Sequence, residues 1–227
     1  MNIDYWQTFY ENAYYHIYNR TNDHALLYVS HENYRFFLEK WQVYFDKYLD
    51  TYAYALMSNH FHFIVKVKQV DADFKAAVKQ ENIVAAKKFL AQQITLDAFL
   101  EDQFKRFFTS YAKSFNKQQN RHGSLFEKRF KRVQLRTTEK VLDKIAYVHH
   151  NPLHHNASPF YEVYPYSSYR SYLSNLPTKL KRVEGLQLFD DSLGRIQVFI
   201  LYHEDYHKRW IQSRGALFFD DDMETLD

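Results

Sequence analysis

Two hydrophobic rhythms alternate along the chain. Tyr14–Arg20 (YYHIYNR) is a run of β-formers closed by the polar residues Asn19, Arg20, Thr21, Asn22 and Asp23, and predicts a first strand. Tyr34, Phe37, Leu38, Trp41, Tyr44, Phe45 and Tyr48 recur at spacings of three and four, one apolar stripe of a helix over 31–49. Residues 51–57 and 60–68 return to a strand pattern on either side of Ser58 and Asn59, a hairpin turn. Within the second of these runs Phe61, Phe63, Val65 and Val67 fall on one face, and His60, His62, Ile64, Lys66 and Lys68 on the other. Residues 71–96 are polar and rich in Ala and Gln, a helical insertion without evident chemistry.

Leu100, Phe104, Phe107, Phe108, Tyr111 and Phe115 mark a second amphipathic helix, which leads into a turn at Gly123. In 130–136 Val133 and Leu135 oppose Arg132, Gln134 and Arg136, a fourth strand with one cationic face. A last helix starts at an N-cap near Thr138 and is expected to stop near His150, because Pro152 disfavours helical geometry at Asn151. The order β-α-β-β-α-β-α predicts an α+β fold: a ferredoxin-like antiparallel sheet with helices packed on one face, plus a C-terminal tyrosine-bearing helix. The histidine face is expected to be open for a ligand. Residues 1–175 form the expected domain, and 176–227 a C-terminal extension ending in the acidic DDDMETLD.

Composition narrows the chemistry. No Cys is present, which excludes disulfides, thiolate zinc sites and a Cys nucleophile and suits a reducing, cytoplasmic setting. All four Gly (Gly123, Gly185, Gly194, Gly215) lie after residue 120, so neither a GxGxxG nor a GxxxxGK[ST] phosphate loop exists. The start MNIDYW lacks a signal-peptide pattern, and no apolar run reaches membrane-spanning length, so no membrane association is expected. The net charge of +3 hides a strong asymmetry: from Phe104 to Arg136 there are ten Lys or Arg against Glu127 alone. Aromatic residues make up 19% of the chain, and exposed rings can stack on unpaired bases. Together these point to single-stranded or hairpin DNA as partner, with Arg20, Lys128, Arg129, Lys131, Arg132 and Arg136 as phosphate contacts.

His60 and His62, two apart on a strand, can offer two imidazoles to one metal ion, although ordinary packing histidines give the same bare pattern. Tyr147 and Asn151, four apart on the last helix, share a side and present a hydroxyl and an amide together. Imidazoles alone suit zinc or copper, whereas added oxygen donors also admit magnesium or manganese.

AYALMSNHFHFIV (53–65), RHGSLFEKRFKR (121–132), YVHHNP (147–152) and YPYSSYRSY (164–172), taken in that order, resemble the REP-associated branch of the single-tyrosine HUH transposases. The resemblance spans residues 14–172 and does not include 71–96 or the region beyond Asn175. It implies that His60 and His62 bind a divalent metal, Mg2+ or Mn2+, that Asn151 is a third ligand, and that Tyr147 is the nucleophile of a 5′-phosphotyrosyl intermediate. The expected activity is that of a metal-dependent endonuclease and strand transferase on single-stranded hairpin or repeat DNA. One tyrosine per chain holds one DNA end, and the family often supplies a second site as a homodimer. The proton acceptor for Tyr147 stays open among His149, His150 and Lys144. Two rivals stand beside this reading: a hairpin-binding protein that does not cut, and a zinc hydrolase using His60 and His62 with water.

Overall fold

The computed structural model describes residues 4–213. Four strands, β1 (Tyr14–Arg20), β2 (Leu49–Leu56), β3 (His60–Val67) and β4 (Lys131–Leu135), form one sheet in the order β2-β3-β1-β4, with every neighbouring pair antiparallel. This is the ferredoxin-like order expected from the sequence. Helix α1 (His31–Phe45) joins β1 to β2, and α4 (Leu96–Gln118) joins β3 to β4 after two short insertion helices, α2 (Ala72–Gln80) and α3 (Val84–Leu90). Four more helices follow: α5 (Thr138–His154), α6 (Tyr169–Leu173), α7 (Arg182–Leu186) and α8 (Arg195–Gln212). Among the described residues no helix is long and apolar enough to cross a membrane.

One face of the sheet carries an aromatic core. Ile17, Phe61, Phe63 and Val65 point at Phe37, Trp41 and Phe45 of α1 and at Phe104, Phe107 and Tyr111 of α4. The Trp41 indole stacks on the Phe63 ring, centroids 3.6 Å apart and planes nearly parallel, and each such ring removes a large apolar area from water. The Thr95 hydroxyl caps α4 by accepting from the Ala98 N–H at 3.2 Å.

The opposite face is covered, not open as expected. Tyr52, Ala55, Ile64 and Leu135 of the sheet pack under Val141, Ile145 and Val148 of α5, and Phe199 and Tyr206 of α8 join the same cluster. Residues beyond 175 thus help build the second core, whereas the acidic tail lies outside the described residues. The tyrosine- and serine-rich stretch clamps the edge of β2: the Leu56 N–H donates to the Tyr166 carbonyl, the Tyr164 hydroxyl to the Leu56 carbonyl, and the Tyr172 hydroxyl to the Tyr52 carbonyl.

Helix α5 also runs further than expected. Its N-cap is Thr137, whose hydroxyl accepts from the Lys140 N–H at 3.2 Å, and the helix continues through Pro152 to His154. Proline there forfeits one backbone hydrogen bond in the final turns, but the helix resumes with the His155 N–H donating to the Asn151 carbonyl at 3.0 Å. Asn151 is therefore a buried helical residue and not part of a frayed end.

Candidate functional site

Alternation along β3 turns His60 and His62 away from the aromatic core and toward α5. The His62 ring centroid is 5.2 Å from that of His60 and 5.8 Å from that of Tyr147. Each histidine is held through Nδ1. His60 Nδ1 is 2.7 Å from Asn59 Oδ1, an acceptor, so Nδ1 carries the hydrogen and Nε2 the lone pair. His62 Nδ1 is 2.9 Å from His16 Nε2. On α5 the Asn151 amide nitrogen donates to the Tyr147 carbonyl at 3.2 Å, which fixes the amide and turns Oδ1 the other way.

Five buried polar atoms in this cluster have no hydrogen-bond partner: His16 Nδ1, His60 Nε2, His62 Nε2, Asn151 Oδ1 and Tyr147 Oη. Buried polar atoms are nearly always paired, so this many unpaired ones among neighbouring residues call for a physical account. Two imidazole nitrogens and an amide oxygen suit a divalent ion, and the mixed nitrogen and oxygen set is compatible with magnesium, manganese or zinc. Among the described residues no three His, Cys, Asp or Glu side chains are grouped to hold a metal, so such an ion would depend on the Asn151 oxygen.

Electrostatics keep the imidazoles in the form that a ligand needs. Burial pushes His62 well below the usual histidine value, helped by the neighbouring His16 and His60. Burial and then His155 lower His60 to about 3, with the Asn151 amide acting in the opposite direction. His16 is lowered by burial and by Lys144. All three are neutral at physiological pH, with lone pairs available.

Tyr147 is 3% exposed. The Lys144 ammonium sits 4.5 Å from its ring centroid. His149 and His150, the other groups considered as proton acceptors, are engaged elsewhere. His149 Nδ1 lies 2.8 Å from His203 Nε2 of α8 and its Nε2 lies 2.8 Å from Ser168 Oγ, while His150 Nδ1 donates to the Ala146 carbonyl.

The six cations expected on the DNA surface divide. Lys128, Arg129 and Arg136 are exposed. Arg20 is ion-paired with Glu127 and sits opposite His60 in the β1–β3 register. Lys131 rests over the rings of Tyr5 and Tyr18, at 4.6 Å and 5.6 Å. Arg132 departs from expectation: it is 3% exposed, bonded to Glu101 at 2.9 Å and Asp97 at 3.2 Å, and its cationic strand face is covered by the N-terminal segment. Such a fully committed guanidinium supports the fold and is closed to phosphate. His16 is the residue that sequence reasoning missed. Its signal was its place in β1, two residues from Tyr18, which pairs with His62.

A ferredoxin-like antiparallel sheet whose third strand presents two histidines to a tyrosine-bearing helix defines the class of fold. Among solved structures that fold is shared with the REP-associated tyrosine transposase bound to a REP hairpin, with a TM-score of 0.53 over 77% of this chain and 88% of that one. At 12% identity the likeness is a distant relationship of fold. No protein-family model and no curated protein matches the sequence.

Proposed function

We propose that the chain is a metal-dependent endonuclease and strand transferase on single-stranded hairpin or repeat DNA, with Tyr147 as nucleophile and His60, His62 and Asn151 as metal ligands. The observation that supports this reading is a set of four unpartnered buried atoms, two imidazole nitrogens, one amide oxygen and one phenolic oxygen, on neighbouring residues of β3 and α5. The sequence blocks shared with the REP-associated transposases support it, as does the fold likeness to a member of that group bound to its hairpin.

A divalent ion, when bound, polarises the scissile phosphate and offsets the charge that develops on it. Tyr147 Oη attacks phosphorus, the bond from phosphorus to the 3′ oxygen breaks, and the 5′ phosphate stays on the protein as a phosphotyrosyl ester. The phenolic proton leaves to a base or water, and the departing 3′ oxygen takes up a proton. Lys144 places a positive charge beside the ring on which the phenolate forms. Attack by a 3′ hydroxyl reverses the step without ATP. Arg20, Lys128, Arg129, Lys131 and Arg136 supply the phosphate contacts. Since each chain holds one DNA end, strand exchange between two ends requires a second copy.

Burial of Tyr147 favours a second reading, a hairpin-binding protein that does not cut. Incubation with manganese and hairpins from repeats flanking its own gene, resolved on a denaturing gel, separates the two. A covalent protein–DNA band that disappears in Tyr147→Phe and in His60→Ala is the expected result. Tight hairpin binding with no band from the wild type would establish the second reading. A zinc hydrolase would keep its cleavage in Tyr147→Phe and form no band.

A further inference from the structure

A cavity of about 730 Å3 lies away from the histidine pair, between the outer stripe of α4 and the loop that precedes β4. Phe108, Phe126 and Phe130 line its apolar part, and Trp6, 41% exposed, stands at its rim with the Arg129 guanidinium 4.9 Å from its ring. Four exposed cations line it: Lys105 and Lys113 of α4, and Lys128 and Arg129 of the loop. The acids Glu101 and Glu127 at the same surface are spent on Arg132 and Arg20, which leaves Asp102 facing the four cations. The loop is a built feature. Gly123 turns the chain at a φ of 89°, a left-handed conformation suited to glycine, and Asn116 Nδ2 donates to its carbonyl at 2.9 Å. At its far end the Glu127 N–H donates to the Arg20 carbonyl at 3.0 Å, and Arg20 is the register partner of His60.

We propose that this groove is a second DNA site, which holds an unpaired stretch of strand and leads it past Arg20 to the histidine pair. The inference rests on the DNA-processing reading above and adds Lys105, Lys113 and Trp6, none of which that reading uses. Its chemistry is that of single-strand binding: cations track phosphates, and an exposed indole stacks a base in a sequence-tolerant way. Lys105 and Lys113 are eight residues apart on one helix, about 12 Å by the helical rise, far enough to take separate phosphates. A duplex lacks the free base faces that the indole would use.

The test is fluorescence anisotropy of a labelled unpaired oligothymidylate of about ten nucleotides, a length within the range of single-strand sites, titrated with the full chain. Four proteins are compared: wild type, Lys105→Glu with Lys113→Glu, Lys75→Glu with Lys79→Glu, and Trp6→Ala. Lys75 and Lys79 are exposed on α2 and give the same change in net charge elsewhere. The groove pair is expected to weaken binding at least tenfold and to lower the salt dependence by about 0.7 per lost phosphate contact. The α2 pair should change affinity less than twofold. Trp6→Ala is expected to cost roughly a further tenfold through lost stacking. Equal loss in both charge-reversed pairs, or none in the groove pair, overturns the groove. If the wild type still forms its covalent adduct in that case, the nuclease reading stands without the groove. Selective loss in the groove pair with no adduct from the wild type supports the groove and removes the nuclease reading. Failure of the wild type to bind DNA removes both.

Discussion

The two faces of the sheet are buried to a similar depth and built from opposite materials. Toward α1 and α4 the sheet shows Ile17, Phe61, Phe63 and Val65; the Trp41 indole N–H there donates to Thr51 Oγ1 at 3.1 Å, and the unpaired polar atoms, Tyr28 Oη and Gln103 Nε2, lie on the covering segments and not on the sheet. Toward α5 it shows His16, His60 and His62, with five polar atoms there unpaired. Burying an unpaired polar group costs about 1–3 kcal/mol, so the second face, with more such atoms and all of them on neighbouring residues, carries the larger penalty. A fold can carry that penalty where a ligand completes the atoms. On the proposed reading the difference separates a face that chiefly supports the fold from one that also carries the site, and substitutions on each face should register differently.

The largest expected effect is on the aromatic face. Trp41→Ala removes a ring stacked at 3.6 Å on Phe63 and in contact with Phe45, Phe104 and Phe107, with no room for the core to collapse cheaply. A loss of about 3–5 kcal/mol in unfolding free energy is expected. Urea titration followed by far-UV circular dichroism measures it, and a loss below about 1 kcal/mol would place the stabilising core elsewhere. Metal affinity per folded molecule should not change.

A smaller effect, of a different kind, is expected from His16. Its Nε2 lies 2.9 Å from His62 Nδ1, and ligation through His62 Nε2 would require His16 Nε2 to accept from that Nδ1–H, the tautomer that leaves the lone pair on His62 Nε2. His16→Phe keeps a ring stacked against Tyr18 and deletes the acceptor. On the metal-centre reading manganese affinity should drop about 10- to 100-fold, the range found when an outer partner of a ligating histidine is lost. The drop is read as a reduced shift of the melting temperature with added manganese, and His16→Gln, which restores an acceptor, should recover part of it. An unchanged shift in His16→Phe would mean that His16 only fills space.

The aromatic face and its helices were legible in the sequence because their information is local. The stripe through Phe37, Trp41 and Phe45, and the alternation of Phe61, Phe63 and Val65, follow from periods of 3.6 and 2. His60, His62, Tyr147 and Asn151 were named from local spacing and shared motifs, and the structure brings them together. What the sequence hid depends on distant pairs. Arg132 is buried because Asp97 and Glu101 lie on a helix more than thirty residues away. The histidine face is covered because α5 packs across it, and Phe199 and Tyr206, beyond the recognisable motifs, pack with that helix. His16 gains its partner only through the strand register, which no local pattern reports.

The smallest expected effect tests the comparison most closely, because it sets one tyrosine hydroxyl on each face against the other. Tyr111 Oη donates to the Leu27 carbonyl at 2.9 Å within the aromatic core, whereas Tyr147 Oη, equally enclosed, has no partner. Tyr111→Phe leaves that carbonyl without its donor and should cost about 1–2 kcal/mol of stability. Tyr147→Phe removes a hydroxyl that already pays for its burial with nothing in return, and should leave stability unchanged or slightly raised while the covalent DNA adduct is lost. Matched urea titrations at neutral pH, without added metal, decide the point. If the two substitutions cost the same, Tyr147 Oη is paired in solution, and the second face is an ordinary core that happens to contain histidines. A free hydroxyl there, by contrast, accords with the proposed role of Tyr147 as the group that attacks a phosphate.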